Sequence, residues 1–314
     1  MNRKIIYVLV IIFTTIFILS AINVSGYRGE SIASFFQYSS NKILYVGGSG
    51  PNNYSKIQDA INNAYSGDTV FVYGKGLPYF ENIIITRDDI SLIGENKNLT
   101  IIDGNGISDV VQIKGDNVTL RGFTLQHSGM IGFPEQDAGV NVNYPSDCNN
   151  ISDNIIINNL DGICLDGSEN NNISNNFIIN NEIGLDILGP SFYNVITRNQ
   201  IENNDYGFYI AFNIHNTIFE NNIVNSSVCG LYLNFVRFTA IYRNNFINNT
   251  CHVYFIERLR LAFDINTWIR NYWDNWVGIG PKILKGQMYT ELVGQKLVPW
   301  INFDWIPAKN PYTI

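Results

Sequence analysis

The chain has 314 residues, 46% of them hydrophobic, and carries 20 Lys and Arg against 27 Asp and Glu, a formal charge of -7. The basic residues form no stripe that would track phosphates, which argues against a nucleic-acid partner. Four cysteines, three histidines and three methionines, gathered in no single tract, give little material for a soft-metal loading motif.

Asn2, Arg3 and Lys4 precede an uncharged apolar stretch from Ile5 to Ile22. Basic residues flanking such a segment direct it into a membrane. The chain is therefore expected to be exported, and either secreted or anchored at the cell surface. Leu19, Ser20 and Ala21 make a passable cleavage site, yet the apolar stretch nearly spans a bilayer, so residues 1–25 are a signal peptide or a signal anchor. Residues 26–41 read as a polar linker.

The folded domain is expected over 42–276, closed by a capping segment over 277–314. It opens with a strand from Ile43 to Val46 and a glycine-rich turn to Pro51. A helix follows between Tyr54 and Tyr65, with Ser55 and Gln58 spaced as a capping box and Ile57, Ala60, Ile61 and Ala64 on one apolar face. Such a helix would cap the open end of a solenoid, whose first coil otherwise exposes strand edges and apolar side chains. Less regular coils follow as far as Leu125. Between His127 and Gly139 the pattern swells by about ten residues, which in a solenoid becomes a loop on one face.

From Ser146 to Glu257 one unit is written five times with a period of 22 or 23 residues. Four apolar columns emerge: Ile151, Ile173, Ile196, Ile218, Ile241; Ile156, Ile178, Ile201, Ile223, Phe246; Ile163, Leu185, Phe208, Leu231, Tyr254; and Leu165, Ile187, Ile210, Leu233, Ile256. The spacing of two within the last pair marks strands, and no helical period persists. Units this short must stack to bury their apolar faces, in parallel and, by the crossover rule, right-handed. Asn154, Asn176, Asn199, Asn221 and Asn244 form one corner column, and Asn158, Asn180, Asn203, Asn225 and Asn248 another. Asparagine tolerates left-handed corners, and stacked amides hydrogen-bond along the axis. Gly162, Gly184, Gly207 and Gly230 mark a further corner. The fold class is thus all-β, a right-handed parallel β-helix with a short N-terminal capping helix.

The paired asparagines around each isoleucine, followed by a Gly-apolar-x-apolar strand, resemble the repeat of the NosD-type periplasmic copper-binding family. The wider pectin-lyase-like group of carbohydrate-binding and sugar-hydrolase proteins shares that architecture. The likeness runs from about Lys42 to the C-terminus and speaks to fold more than chemistry. It implies that Asn271 to Asp274 and Pro299 to Ala308 close the last coil, so an aromatic C-terminal cap is expected, with a sugar-binding aromatic patch as the alternative. The catalytic motif set of polygalacturonases on this fold does not occur in the coils, and Arg198, Arg237 and Arg243 do not line up with the acidic column as a lyase base would.

The residue between the last two apolar columns should face solvent, giving the stack Gln112, Asn141, Cys164, Asp186, Tyr209, Tyr232, Phe255. Tyr209, Tyr232 and Phe255 would offer a flat platform to sugar rings, with Asn141 and Asp186 hydrogen-bonding hydroxyls; an aromatic ladder that merely stabilises the sheet is the other reading. Glu182 and Asp205, on adjacent coils, are candidate catalytic carboxylates together with Asp186, or else solvated turn residues. Cys229 and Cys251 stack closely enough for a disulfide. With His252 they are also the candidate metal ligands. No cofactor is required by these features, though calcium at the acids or copper at the thiols remains open. The expected function is non-catalytic binding of polysaccharide or envelope glycan. A polysaccharide lyase, epimerase or hydrolase, and a NosD-type copper-binding or metalloenzyme maturation factor, are the alternatives.

Overall fold

The computed structural model describes residues 41–132, 136–258, 266–290 and 296–314. The apolar segment at Ile5 to Ile22 and the linker up to residue 40 lie outside the described residues. Ser39–Ile314 forms one compact unit.

Three parallel sheets run the length of this unit. The first has ten strands, from Ile43–Val46 to Thr267–Ile269, and the second nine, from Tyr79–Phe80 to Tyr272–Trp273. The third starts at Ile83–Ile85 and includes the long strands Ala138–Asn143, Asp161–Asp166, Ile183–Leu188, Tyr206–Ala211, Cys229–Asn234 and Val253–Arg258. Each coil contributes one strand to each sheet, so the chain is a parallel β-solenoid. Lys282–Thr290 continues the third sheet in parallel and then pairs antiparallel with Lys296–Asp304, which ends it.

The isoleucine columns stand in register as expected. Ile151, Ile173, Ile196, Ile218 and Ile241 pair in succession and lead on to Trp268. Ile156, Ile178, Ile201, Ile223 and Phe246 do the same and lead on to Trp273. All of them belong to one buried cluster. The third sheet departs from expectation in its last coil: Leu231 pairs with Val253 and Leu233 with Phe255. The turn from Asn249 to Val253 is one residue shorter than its counterpart from Ser226 to Leu231. A one-residue slip moves a strand's side chains to the opposite face. Phe255 is therefore fully buried core, not a platform residue, and Tyr254 takes the outward place opposite Tyr232.

The first asparagine column turns inward as a buried ladder. The side-chain Oδ1 of Asn176, Asn199, Asn221, Asn244 and Asn271 each accepts the backbone N–H of the asparagine one coil earlier, at 3.0 to 3.1 Å. The Nδ2 groups of the same column donate to strand carbonyls, as Asn199 does to Ile173 at 2.9 Å. Two further ladders repeat the device, through Asn149, Asn171, Asn194 and Asn216 and through Asn159, Asn181 and Asn204. Left-handed backbone falls instead on the residue before the first column, namely Asp153, Asn175, Arg198, Glu220 and Arg243, and on the second column from Asn158 to Asn248. Gly162, Gly184 and Gly207 are not corners but close approaches: a Cβ on each would lie 2.5 to 2.6 Å from the carbonyl oxygen of the glycine on the next coil.

At the N-terminal end the helix Ile57–Asn63 buries Ile57, Ala60 and Ile61 in the common core. Ser55 does not cap it. The carboxylate of Glu81 accepts from Ile57 N at 2.9 Å and Gln58 N at 3.0 Å, placing a negative charge at the positive end of the helix. At the other end Trp273 stacks on Phe246 with centroids 4.3 Å apart, and Trp268 is buried beside it. Trp300 and Trp305 are 43% and 67% exposed, so they form no part of a plug. Buried Asp304 ties the terminal hairpin down, accepting from Asn271 N at 2.9 Å and Trp273 Nε1 at 3.1 Å.

Replacing Ile196 by Asp puts a charge between Ile173 and Ile218 and should cost more than about 3 kcal/mol, unfolding the domain in a thermal melt. Asn199→Ala strips the acceptor from two donors of Asn176 and should cost about 1–3 kcal/mol. An unchanged melting temperature for Ile196→Asp would show the column register to be wrong.

Candidate functional site

The outer face of the third sheet carries the candidate site. Successive pairings align Gln112, Asn141, Cys164, Asp186, Tyr209, Tyr232 and Tyr254 in one column. Parallel register forces like positions to stack at the strand spacing, so the character of the column depends on what each coil puts there.

Its C-terminal half is aromatic. The rings of Tyr209 and Tyr232 lie 5.1 Å apart and 4° from parallel, and Tyr232 and Tyr254 lie 5.6 Å apart at 18°. Tyr206 meets Tyr209 and Tyr232 edge-on, both at 6.0 Å. All four are half-buried, leaving one edge or face of each ring to solvent. Where these strands end, Phe212 and Phe235 continue the aromatic surface at 5.5 Å. They line a pocket with Ile214, Arg237 and Arg258, in which the Arg258 guanidinium sits 5.7 Å from the Phe235 ring centre.

The N-terminal half is polar and, against expectation, buried. Asn141 is 2% exposed and Asp186 0%. The loop after His127, described except for 133–135, supplies Gln136, whose side-chain amide donates to Asp186 and whose carbonyl accepts from Asn141. Sequence reasoning took the column to face solvent because alternation along a strand reports the side of the sheet, not what covers it. Asp161, one column over and 2% exposed, was not foreseen. Its signal was that its paired column otherwise holds Ala138, Ile183, Tyr206 and Cys229, with no other acid.

Burial raises Asp161 to about 9, with the charges of Asp186 and Glu182 and the side-chain contact with Asp186 adding to the effect. Burial likewise lifts Asp186 to about 7 and Asp109 to about 6. The Cys164 thiol between them is held well above its ordinary value, first by burial and then by Asp186. Asp109 is satisfied by Ala138 N at 2.8 Å and Asn141 Nδ2 at 3.2 Å. Among the described residues, Asp161 Oδ2, Asp186 Oδ1 and Asn141 Oδ1 have no partner.

Glu182 and Asp205 are both exposed turn residues, and the Asp205 carboxylate accepts from the Ser227 hydroxyl. Cys229 and Cys251 lie on neighbouring coils as free thiols in hydrogen-bond contact. The bond donated by Cys229 lowers Cys251 to about 7 and raises Cys229. His252 is engaged at both nitrogens, with Asp274 Oδ1 2.7 Å from Nε2 and Asn249 Nδ2 3.3 Å from Nδ1.

The family model described as Periplasmic copper-binding protein (NosD) matches residues 61–289. A stretch of 113 residues is 35% identical to the probable pectinesterase/pectinesterase inhibitor 12 of Arabidopsis thaliana, covering 34% of this chain and 19% of that protein. The chain thus spans about a fifth of that relative's length. Among solved structures, ORF18 of Geobacillus virus E2 is 16% identical with a TM-score of 0.48, over 77% of this chain and 59% of that one. The A-module of the Azotobacter vinelandii mannuronan C-5 epimerase AlgE4 is 18% identical with a TM-score of 0.48, over 68% and 73%.

Copper selects soft sulfur or imidazole donors. Among the described residues the group of three or more such side chains that could meet on one ion is Asp161, Cys164 and Asp186, two carboxylates against a single thiol. His252 is already spoken for by Asp274 and Asn249. These donors do not fit copper.

Two outcomes are expected. Oxidation of the folded protein should join Cys229 and Cys251 in one cross-linked peptide by mass spectrometry; quantitative alkylation of both afterwards would exclude the pairing. The raised carboxyls mean that the folded chain binds more protons than the unfolded chain, whose carboxylates titrate near about 4. Stability should therefore fall as pH rises from about 4 towards about 9, the window set by Asp186 and Asp161. With chelator present, melting temperature should decline across that range, and Asp186→Asn should flatten the decline. A flat profile in the parent would contradict the burial of the pair.

Proposed function

The chain belongs to the NosD family of periplasmic copper-binding proteins, and from that premise and the geometry of the third sheet we propose that it works outside the cytoplasm as a non-catalytic binder of polysaccharide. The observation that carries the reading is the run of three near-parallel tyrosine rings, Tyr209, Tyr232 and Tyr254, spaced 5.1 and 5.6 Å apart along the solenoid axis. Sugar rings stack their apolar C–H faces on such surfaces while their hydroxyls reach polar groups at the rim. A chain lying parallel to the axis meets one tyrosine per coil.

The rim is mixed in charge. Exposed Glu182 and Asp205 precede the platform strands, and Arg237 and Arg258 line the pocket beyond them. This balance suits a neutral or weakly charged glycan better than a polyanion. Turnover is disfavoured because a general acid or base must come within hydrogen-bond reach of the reacting atom, and Asp161 and Asp186 are sealed from the surface. In this reading the coil is right-handed, as parallel crossovers are, and the helix and the Trp268–Trp273 pair close its ends. Surface attachment would rest on Ile5 to Ile22; among the described residues no helix is long and apolar enough to cross a membrane.

The test is Tyr209→Ala combined with Tyr232→Ala, assayed on a glycan array with the full chain. Binding should be lost while the circular dichroism spectrum and melting curve stay close to those of the parent, since the rings lie outside the core. A double variant that binds every glycan as the parent does, or a parent that binds none, would refute the platform.

A further inference from the structure

We propose that Asp161, Cys164 and Asp186 form a binding site for a divalent cation of zinc-like character, covered by Gln136. The carboxylate oxygens and the thiol Sγ of these three residues lie within 4.8 Å of one another, and all three side chains are buried. Cys164 pairs directly with Asp186 across adjacent coils, and Asp161 stands three residues before Cys164 on the same strand. The donors therefore come from rigid strands and not from a loop, the arrangement that best fixes a coordination sphere.

Two observations beyond the cluster itself point to an ion. Among the described residues, Asn141, 2% exposed and paired with Cys164 in the same column, has no partner for its Oδ1, and neither Asp161 Oδ2 nor Asp186 Oδ1 has one. Buried acceptors without donors are costly, and here three of them converge on one sheet face. In addition, the ion pairs among the described residues bring no cation to Asp161 or Asp186. Gln136 gives Asp186 one neutral hydrogen bond, which does not balance a second carboxylate.

A divalent ion meets both needs. Zinc accepts thiolate and carboxylate ligands together in four-coordinate sites, and Asn141 Oδ1 or a water would complete the set. Thiolate and carboxylate ligands bind as their anions, so protons held there leave for solvent as the metal enters. The mixture of one sulfur and two hard oxygens separates this site from calcium, which takes oxygens alone, as clearly as from copper. The site stands independently of the glycan reading, because its side chains are buried.

The experiment is titration of the chelator-treated full chain with Co²⁺ and then Zn²⁺. One equivalent of Co²⁺ should bind with a thiolate-to-cobalt charge-transfer band in the near ultraviolet, Zn²⁺ should displace it, and Zn²⁺ should raise the melting temperature. Cys164→Ser should remove the charge-transfer band, and Asp186→Asn should weaken Zn²⁺ binding by about tenfold or more, while Tyr232→Ala leaves both unchanged. Circular dichroism reports whether each variant is folded, and the near-isosteric Cys164→Ser keeps the test open should Asp186→Asn unfold. Failure of the folded parent to take up either ion, or survival of the band in Cys164→Ser, would overturn the site and leave Asp161 and Asp186 as a buried acid pair.

Discussion

The hydrogen bond from one asparagine's backbone N–H to the side chain of the asparagine a coil away is the interaction on which this structure depends. A solenoid turns its chain sharply at the edge of each short sheet, and those corners bring backbone amides into the interior where water cannot serve them. The ladders through Asn154, Asn149 and Asn159 supply acceptors from the next coil, and those through Asn154 and Asn159 also return donors to the strand carbonyls of the previous one. Each amide is useful only when its neighbour stands directly above it, so the ladders enforce a constant rise and a near-constant period. The isoleucine columns benefit from that alignment; by themselves, apolar side chains would tolerate sliding.

Once the coils are locked in register, the outer surface is also written in columns, and stacking then acts differently on different side chains. Tyrosines one coil apart gain from ring contact, as the 5.1 Å pair shows. Acids one coil apart repel. Asp161 and Asp186, brought together in burial, both have a raised carboxyl pKa. The same rule that makes an aromatic ladder at one end of the third sheet makes an electrostatic problem at the other.

The sequence made the coil legible because its signal is repeated: five copies of an isoleucine column outweigh any single irregularity. The candidate site was less legible, for three physical reasons. Phe255 was assigned to the surface because the turn from Ser226 to Leu231 holds one residue more than those before and after it, and a periodic alignment that carries the longer spacing into the next coil inverts the strand. Asn141 and Asp186 were correctly aligned but assigned to solvent, because the loop bearing Gln136 comes from outside the repeat. The helix cap was sought at Ser55, next to the helix, whereas Glu81 reaches it from the connection between the strands Tyr79–Phe80 and Ile83–Ile85, 24 residues from Ile57. In each case the missing information was tertiary, lying between coils and not along one.

The buried acids also bear on how chemistry is gained on this architecture. A catalytic carboxyl must be perturbed and reachable at once, and the solenoid separates the two conditions here: Glu182 and Asp205 are reachable, while Asp161 and Asp186 are perturbed. The roofing loop, the one large departure from the repeat on this face, is what divides them. A solenoid with an open groove at the same coils would expose a perturbed acid pair beside an aromatic platform, an arrangement suited to acid–base work on a bound polymer. With Gln136 donating to Asp186 and Asn141 reaching the loop carbonyl, the same acids are directed inward, towards each other and towards whatever small ion can enter. The loop at a single corner, with the coil unchanged, thus separates a column that is open to solvent from one that is buried.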